Sequence, residues 1–146
     1  MLLERIQQNA SLLAEHPAYR CGEDSLTYSQ LWNAASLLAA QLQDGAGAVA
    51  LIGTKQPMMA VGMLGSLLAG RPYLPLSSDQ PKERLQRILS QANPGTVIDC
   101  REAKAEQWLK REPAMRNFLI PGNPSRDAYW LFTSGSSGSP KGVRIS

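Results

Sequence analysis

The chain has 146 residues, 43% hydrophobic and 18% charged, with a formal net charge of +3. That length suits one domain, or part of a larger one, with a buried core; the composition excludes a disordered tail, and the mild, scattered charge excludes a nucleic-acid stripe. No apolar run reaches the ~18–20 residues of a membrane span, "MLLERIQQN" lacks a signal peptide's apolar stretch, and Cys21 and Cys100 have no metal or redox spacing, as expected of a reduced cytoplasmic protein.

Leu2, Leu3, Ile6, Ala10 and Leu13 recur at helical spacing and predict an amphipathic helix ending near Pro17. "AYRC", "GEDS" and "LTY" read as strand, turn and strand. Ser29 is an N-cap candidate for the next helix, whose apolar face is Leu31, Ala34, Ala35, Leu38 and Leu42 and which "QDGAG" ends. "AVALIG" is a short apolar strand. Pro57 to Ala69 is a helix apolar almost all round, stopped by Gly70. "YLPL" is the next strand. Pro81 suits the first turn of a helix whose inner face is Leu85, Ile88, Leu89 and Ala92. "TVID" is a strand, "AKAEQWLKR" a helix, and "NFLI" and "YWLF" are strands joined by the surface loop "PGNPSRD". This alternation predicts an α/β fold, a mainly parallel sheet covered by helices, with ligands beyond the carboxyl ends of the strands.

"YWLF" runs directly into "TSGSSGSPKG". Gly135, Gly138 and Gly142 let the backbone turn tightly and bring N–H groups close to an anion. Thr133, Ser134, Ser136, Ser137 and Ser139 add hydroxyls, Lys141 adds positive charge, and Pro140 stiffens the exit. Together they suit a polyphosphate, each hydrogen bond to which is worth on the order of 1.5–3 kcal/mol. The Walker loop, G-x-x-x-x-G-K-S/T, does not fit, because Pro140 replaces the glycine before lysine and Gly142 the hydroxyl after it. A flexible linker is the bland reading, yet linkers seldom follow "YWLF" or carry Pro-Lys-Gly. "GSSGS" has the serines of an amidase-signature hydrolase without the doubled glycine beside them. No G-x-S-x-G elbow occurs, and the single histidine, His16, sits at a helix end. "GEDSL" resembles the site at which carrier proteins receive phosphopantetheine on serine, here Ser25, but carriers are small acidic helical bundles. Trp32, Trp108, Trp130, Met58, Met59 and Met63 are expected in or beside the core.

"FTSGSSGSPKG" closely resembles the phosphate-loop signature of the adenylate-forming, or AMP-binding, enzymes, which reads Y/F-T-S-G-S/T-S/T-G-x-P-K-G. "LTYSQLW" resembles the family's early L-T-Y-x-E-L segment, and "LLAGRPYLPLSSDQPKER" its K-A-G-x-x-Y-V/L-P-L/V-D-x-x-x-P-x-E-R segment. Ser77 departs from the aspartate of that segment and Leu68 from its lysine. The nearest members are D-alanine–carrier protein ligases and the adenylation domains of nonribosomal peptide synthetases.

The resemblance implies that residues 1–146 are the N-terminal portion of an AMP-binding domain, truncated just after the phosphate loop. It implies ATP-dependent activation of a carboxylic acid, an amino acid foremost, as an acyl-adenylate. The acyl group then passes to the thiol of a phosphopantetheinylated carrier protein or of coenzyme A. Thr133, Ser134, Gly135, Ser136, Ser137, Gly138 and Lys141 would contact the phosphates of ATP. Ligands for Mg2+, the adenine and ribose contacts and a catalytic lysine are expected beyond Ser146. The chain alone is therefore expected to be inactive, with no catalytic or metal-binding residue of its own and neither nucleic acid nor membrane as partner.

Overall fold

The computed structural model describes residues 2–102, 127–134 and 138–146. Helix α1 (Leu2–Leu12) stops short of Pro17. The residue before a proline favours extended backbone, and the N–H groups of Leu13 and His16 close a turn on the carbonyls of Asn9 and Leu13 at 2.7 and 2.9 Å. The expected strand–turn–strand follows as β1 (Pro17–Cys21) and β2 (Asp24–Thr27), an antiparallel pair outside the main sheet.

Helix α2 (Tyr28–Leu42) is capped by Thr27, not Ser29. The Gln30 N–H donates to Thr27 Oγ1 at 3.2 Å and the Thr27 N–H to Gln30 Oε1 at 3.0 Å. This reciprocal box needs Gln or Glu three residues after the cap, which Thr27 has. Ser29 falls inside the first turn, and Tyr28 opens the helix instead of closing a strand.

The main sheet has strands β3 (Val49–Gly53), β4 (Tyr73–Ser77), β5 (Thr96–Asp99), β6 (Tyr129–Ser134) and β7 (Pro140–Ile145), in the order β5-β3-β4-β6-β7. All neighbours are parallel except β6 and β7. Helices α3 (Pro57–Leu68) and α4 (Lys82–Ala92) are the crossovers. Along β3 the side chains alternate: Val49 and Leu51 join the core under α2 and α3, and Ala50 and Ile52 the core under α4. Every residue of β3 is buried, as befits a central strand covered on both faces.

On α2 the expected face is buried in full: Leu31, Ala34, Ala35, Leu38 and Leu42. Helix α3 comes close because Gly65 carries no side chain; a Cβ there would lie 3.1 Å from the Ala35 carbonyl oxygen. Met58 and Met59 are buried, and Met63, Trp32 and Trp130 pack partly buried against the two cores. Pro81 is the N-cap of α4 rather than part of its first turn; Ile88 is buried, with Leu85, Leu89 and Ala92 packed around it. "AKAEQWLKR" with Trp108, "NFLI" and most of "PGNPSRD" lie outside the described residues.

Gly70 stops α3 as expected, at φ 69°. The Arg71 N–H reaches back to the Ser66 carbonyl at 2.9 Å and the Gly70 N–H to that of Leu67 at 3.0 Å, a Schellman closure that needs a left-handed residue. That closure turns Arg71 inward, where it is only 5% exposed. Its guanidinium donates to the carbonyls of Gly47 (2.9 Å), Ala46 (2.8 Å) and Leu42 (3.2 Å) and to Thr96 Oγ1 (3.0 Å). One side chain thus joins the end of α2, the turn into β3 and the start of β5. Burial lowers its pKa, but an arginine stays charged through any pH at which proteins fold. A Cβ at Gly95 would lie 1.8 Å from the Ala46 carbonyl oxygen, so the turns around Arg71 close only on a bare backbone.

Arg71→Met would leave several buried carbonyls without donors. It is expected to lower the unfolding free energy by about 3 kcal/mol or more, read as a lower urea midpoint at unchanged slope. Cys100 gives a second test. Burial, and then the charge of Asp99, push its thiol from 9.0 up to about 12. Between these values the unfolded thiol ionises and the folded one does not. Its contribution is therefore whole below about pH 9 and is lost as pH rises towards 12. Urea unfolding at pH 7 and pH 10.5 should show this loss, and Cys100→Ala should reduce it.

Candidate functional site

The parallel strands β3, β4, β5 and β6 bring their carboxyl ends to one edge of the sheet, where open α/β sheets place ligands. The turn between β6 and β7 lies at that edge. It is shorter than the sequence suggests: Thr133 pairs with Lys141 and Ser134 with Pro140, so all four belong to strands. The last register pair, Ser134 with Pro140, leaves 135–139 between the strands. The β-favouring run of "YWLF" carries on through Thr133, and Pro140 can open an edge strand because its missing N–H is not needed there.

Thr133 and Lys141 face each other across the ribbon, and both are exposed. The two-residue period puts them on the same side as Leu131 and Val143. They thus present a hydroxyl and a cation together. Gly138 sits at φ 76° with nothing within 4 Å of a built Cβ, so it is there for its backbone conformation and not for space. Gly142 has the opposite reason. It lies opposite Phe132, whose ring would come within 3.1 Å of a Cβ. The sequence suggests a turning role for Gly142, whereas the structure gives it packing; its place opposite an aromatic becomes legible only once the register is known. Gly135, Ser136 and Ser137 lie outside the described residues. Among the expected site residues, the structure therefore brings together Thr133, Ser134, Gly138 and Lys141 at the end of one ribbon.

Other groups at this edge are engaged locally. The Thr54 N–H donates to Gln56 Oε1 at 2.6 Å, and the Tyr19 hydroxyl donates to the Lys55 carbonyl, tying the β1–β2 pair to the turn after β3. Arg101 holds Asp99 through two side-chain bonds of 2.9 and 2.6 Å, which lower the pKa of that carboxyl. Among the described residues, no three His, Cys, Asp or Glu side chains converge as a metal site. His16 is exposed, and so is Ser25 on strand β2. The α/β fold rules out the helical bundle of a carrier module.

An α/β domain with a glycine- and serine-rich turn at the carboxyl edge of a parallel sheet is the class these features define. The family model described as AMP-binding enzyme matches residues 6–146, and the chain belongs to that family.

D-alanine--D-alanyl carrier protein ligase of Staphylococcus aureus is 31% identical over 155 aligned residues, covering 99% of this chain and 32% of the relative. The chain thus spans about a third of the length of the curated relatives it matches. The N-terminal subdomain of Klebsiella oxytoca NpsA, in complex with 3-hydroxyanthranilyl-AMSN, has the same fold. Its TM-score is 0.78 at 22% identity, over 99% of this chain and 40% of that one. The nonribosomal peptide synthetase FmoA3 gives 0.80 at 23% identity, over 100% of this chain and 17% of that one.

Gly138→Ala is expected to lower stability by about 1 kcal/mol through left-handed backbone strain alone. Gly138→Asn should lose less, because Asn tolerates that conformation. Denaturant midpoints of the two variants check this; equal losses would point to a steric cause.

Proposed function

We propose that this chain supplies the phosphate-binding ribbon of an enzyme that uses ATP to activate a carboxylic acid, an amino acid foremost, as an acyl-adenylate. The carrying observation is the pair Thr133–Lys141, exposed on one side of the ribbon at the carboxyl edge of the sheet. The acid's carboxylate oxygen attacks the α-phosphorus of ATP, and the bond from that phosphorus to the bridging oxygen breaks. Pyrophosphate leaves with the electron pair. The hydroxyl of Thr133, the charge of Lys141 and backbone N–H groups around Gly138 would hold the β- and γ-phosphates that become the leaving group. Such transfer depends on position and on spreading charge more than on covalent help.

The relative named as a carrier protein ligase, and the synthetase among the similar structures, support a carrier-bound phosphopantetheine thiol as acceptor, with coenzyme A as the other thiol of the same chemistry. Magnesium would take its protein ligands from outside the described residues. No described helix is long and apolar enough to cross a membrane, and Cys21 and Cys100 are unpaired; both fit a cytoplasmic enzyme.

A lysine contact to phosphate is worth about 1.5–3 kcal/mol, or roughly ten- to a hundredfold. In a whole enzyme carrying this chain, Lys141→Ala is expected to slow acid-dependent pyrophosphate exchange by about that factor. Unchanged exchange would make Lys141 a solvated surface residue and would sink the reading. The 146-residue chain by itself is expected to give no acid-dependent exchange with any of a panel of amino and fatty acids.

A further inference from the structure

The ribbon is attached to the sheet at its base. Strand β6 pairs with β4 at Tyr73–Tyr129, whose rings stack with centroids 5.4 Å apart. The Tyr73 N–H donates to the Ala128 carbonyl at 3.1 Å, and the Ala128 N–H to that of Ile145 at 2.6 Å. From Trp130 to Ser134 the strand pairs with β7 and has no register pair on β4. A two-stranded ribbon is marginal by itself, so side chains must set its pitch.

Three side chains do so at the base, on the face turned towards α4. Trp130 Nε1 donates to Asp127 Oδ2 at 3.0 Å. Arg144, the cross-strand partner of Trp130, lays its guanidinium 4.9 Å from the indole centroid. Its Nε is 3.8 Å from the same Asp127 oxygen. Behind them, between the ribbon and the end of α4, lies a cavity of about 240 Å³ lined by Gln91, Ala92, Trp130, Phe132 and Arg144. Packing of Trp130 against the α4 core is therefore incomplete on this side.

We propose that Asp127, Trp130 and Arg144 are positioning residues: a clamp that fixes the ribbon's pitch and so holds Thr133 and Lys141 where phosphate is received. The proposal rests on the phosphate reading given above. Arg144 is not itself a phosphate ligand. It lies three residues along the strand from Lys141, about 10 Å, and on the opposite face.

The test uses the chain as it is, with inorganic tripolyphosphate as probe, followed by amide NMR shifts, and with hydrogen exchange of the ribbon amides as a second readout. Arg144→Ala is expected to speed exchange from Trp130 to Thr133, to leave β3 protected, and to raise the Kd for tripolyphosphate about threefold. Arg144→Lys keeps a cation over the indole and should restore most of both. Lys141→Ala should abolish binding with ribbon exchange unchanged. If Arg144→Ala leaves ribbon exchange unchanged, the clamp is overturned, whatever happens to affinity. If ribbon exchange rises but affinity holds while Lys141→Ala abolishes it, the phosphate reading stands and the positioning role falls. If the unmodified chain and Lys141→Ala respond alike to tripolyphosphate, the phosphate reading fails and takes the positioning role with it.

Discussion

The fold depends on one buried cation. Among the described residues no carboxylate lies beside Arg71; its donors are spent on backbone carbonyls and a threonine hydroxyl. The carbonyl of Leu42 belongs to the last turn of α2, where a helix exposes unsatisfied acceptors and the negative end of its dipole. The other carbonyls lie in the turn that aims β3 between its neighbours. Hydrogen bonds to a charged donor are stronger than neutral ones, and here they gather at the amino ends of β3 and β5. Those ends are thereby fixed, at the edge of the sheet opposite the turn between β6 and β7. The arrangement also accounts for the glycine density of the "GAGA" turn and for Gly95. A side chain at Gly45 would meet the guanidinium itself, 2.4 Å from Nη1.

Much of this was legible in the sequence, because most of the fold follows short-range rules. The α2 stripe, the stop at Gly70 and the strand–helix alternation each rest on periodicity or on one residue's backbone preference. Where the reading slipped, two local rules competed. Ser29 and Thr27 are both good caps; the reach of Gln30 decides between them, and that is a pair property. The glycine–serine turn looks longer in the sequence because glycine and serine are poor strand formers, yet cross-strand pairing carries β6 through Ser134 and resumes at Pro140. The role of Arg71 could not be read at all. Its partners are backbone oxygens from residues 42 to 48 and the hydroxyl of Thr96, and no sequence pattern marks a carbonyl that points inward.

The ribbon divides its labour by face. Leu131, Thr133, Lys141 and Val143 look one way, and Trp130, Phe132, Gly142 and Arg144 the other. The signature "TSGSSGSPKG" therefore mixes two kinds of residue. Thr133 and Lys141 are available to a ligand. Gly142 is fixed by the ring of Phe132, and Pro140 is buried where the second strand begins. In the proposed function only the first kind meets phosphate; the second keeps the strands in register so that the first can meet.

The attachment of β6 to β4 at Tyr73–Tyr129 makes the ribbon a cantilever with its fulcrum at the phenol stack. From that fulcrum to Ser134 the strand is about 17 Å long, at ~3.4 Å per residue. A rotation of about 5° at the base would then carry the tip through roughly 1.5 Å, and misplacement on the order of 1 Å can cost a catalyst a hundredfold. Leverage thus magnifies small events at the base into large ones at the tip, so substitutions among residues that never meet a ligand can weigh as heavily as those that do.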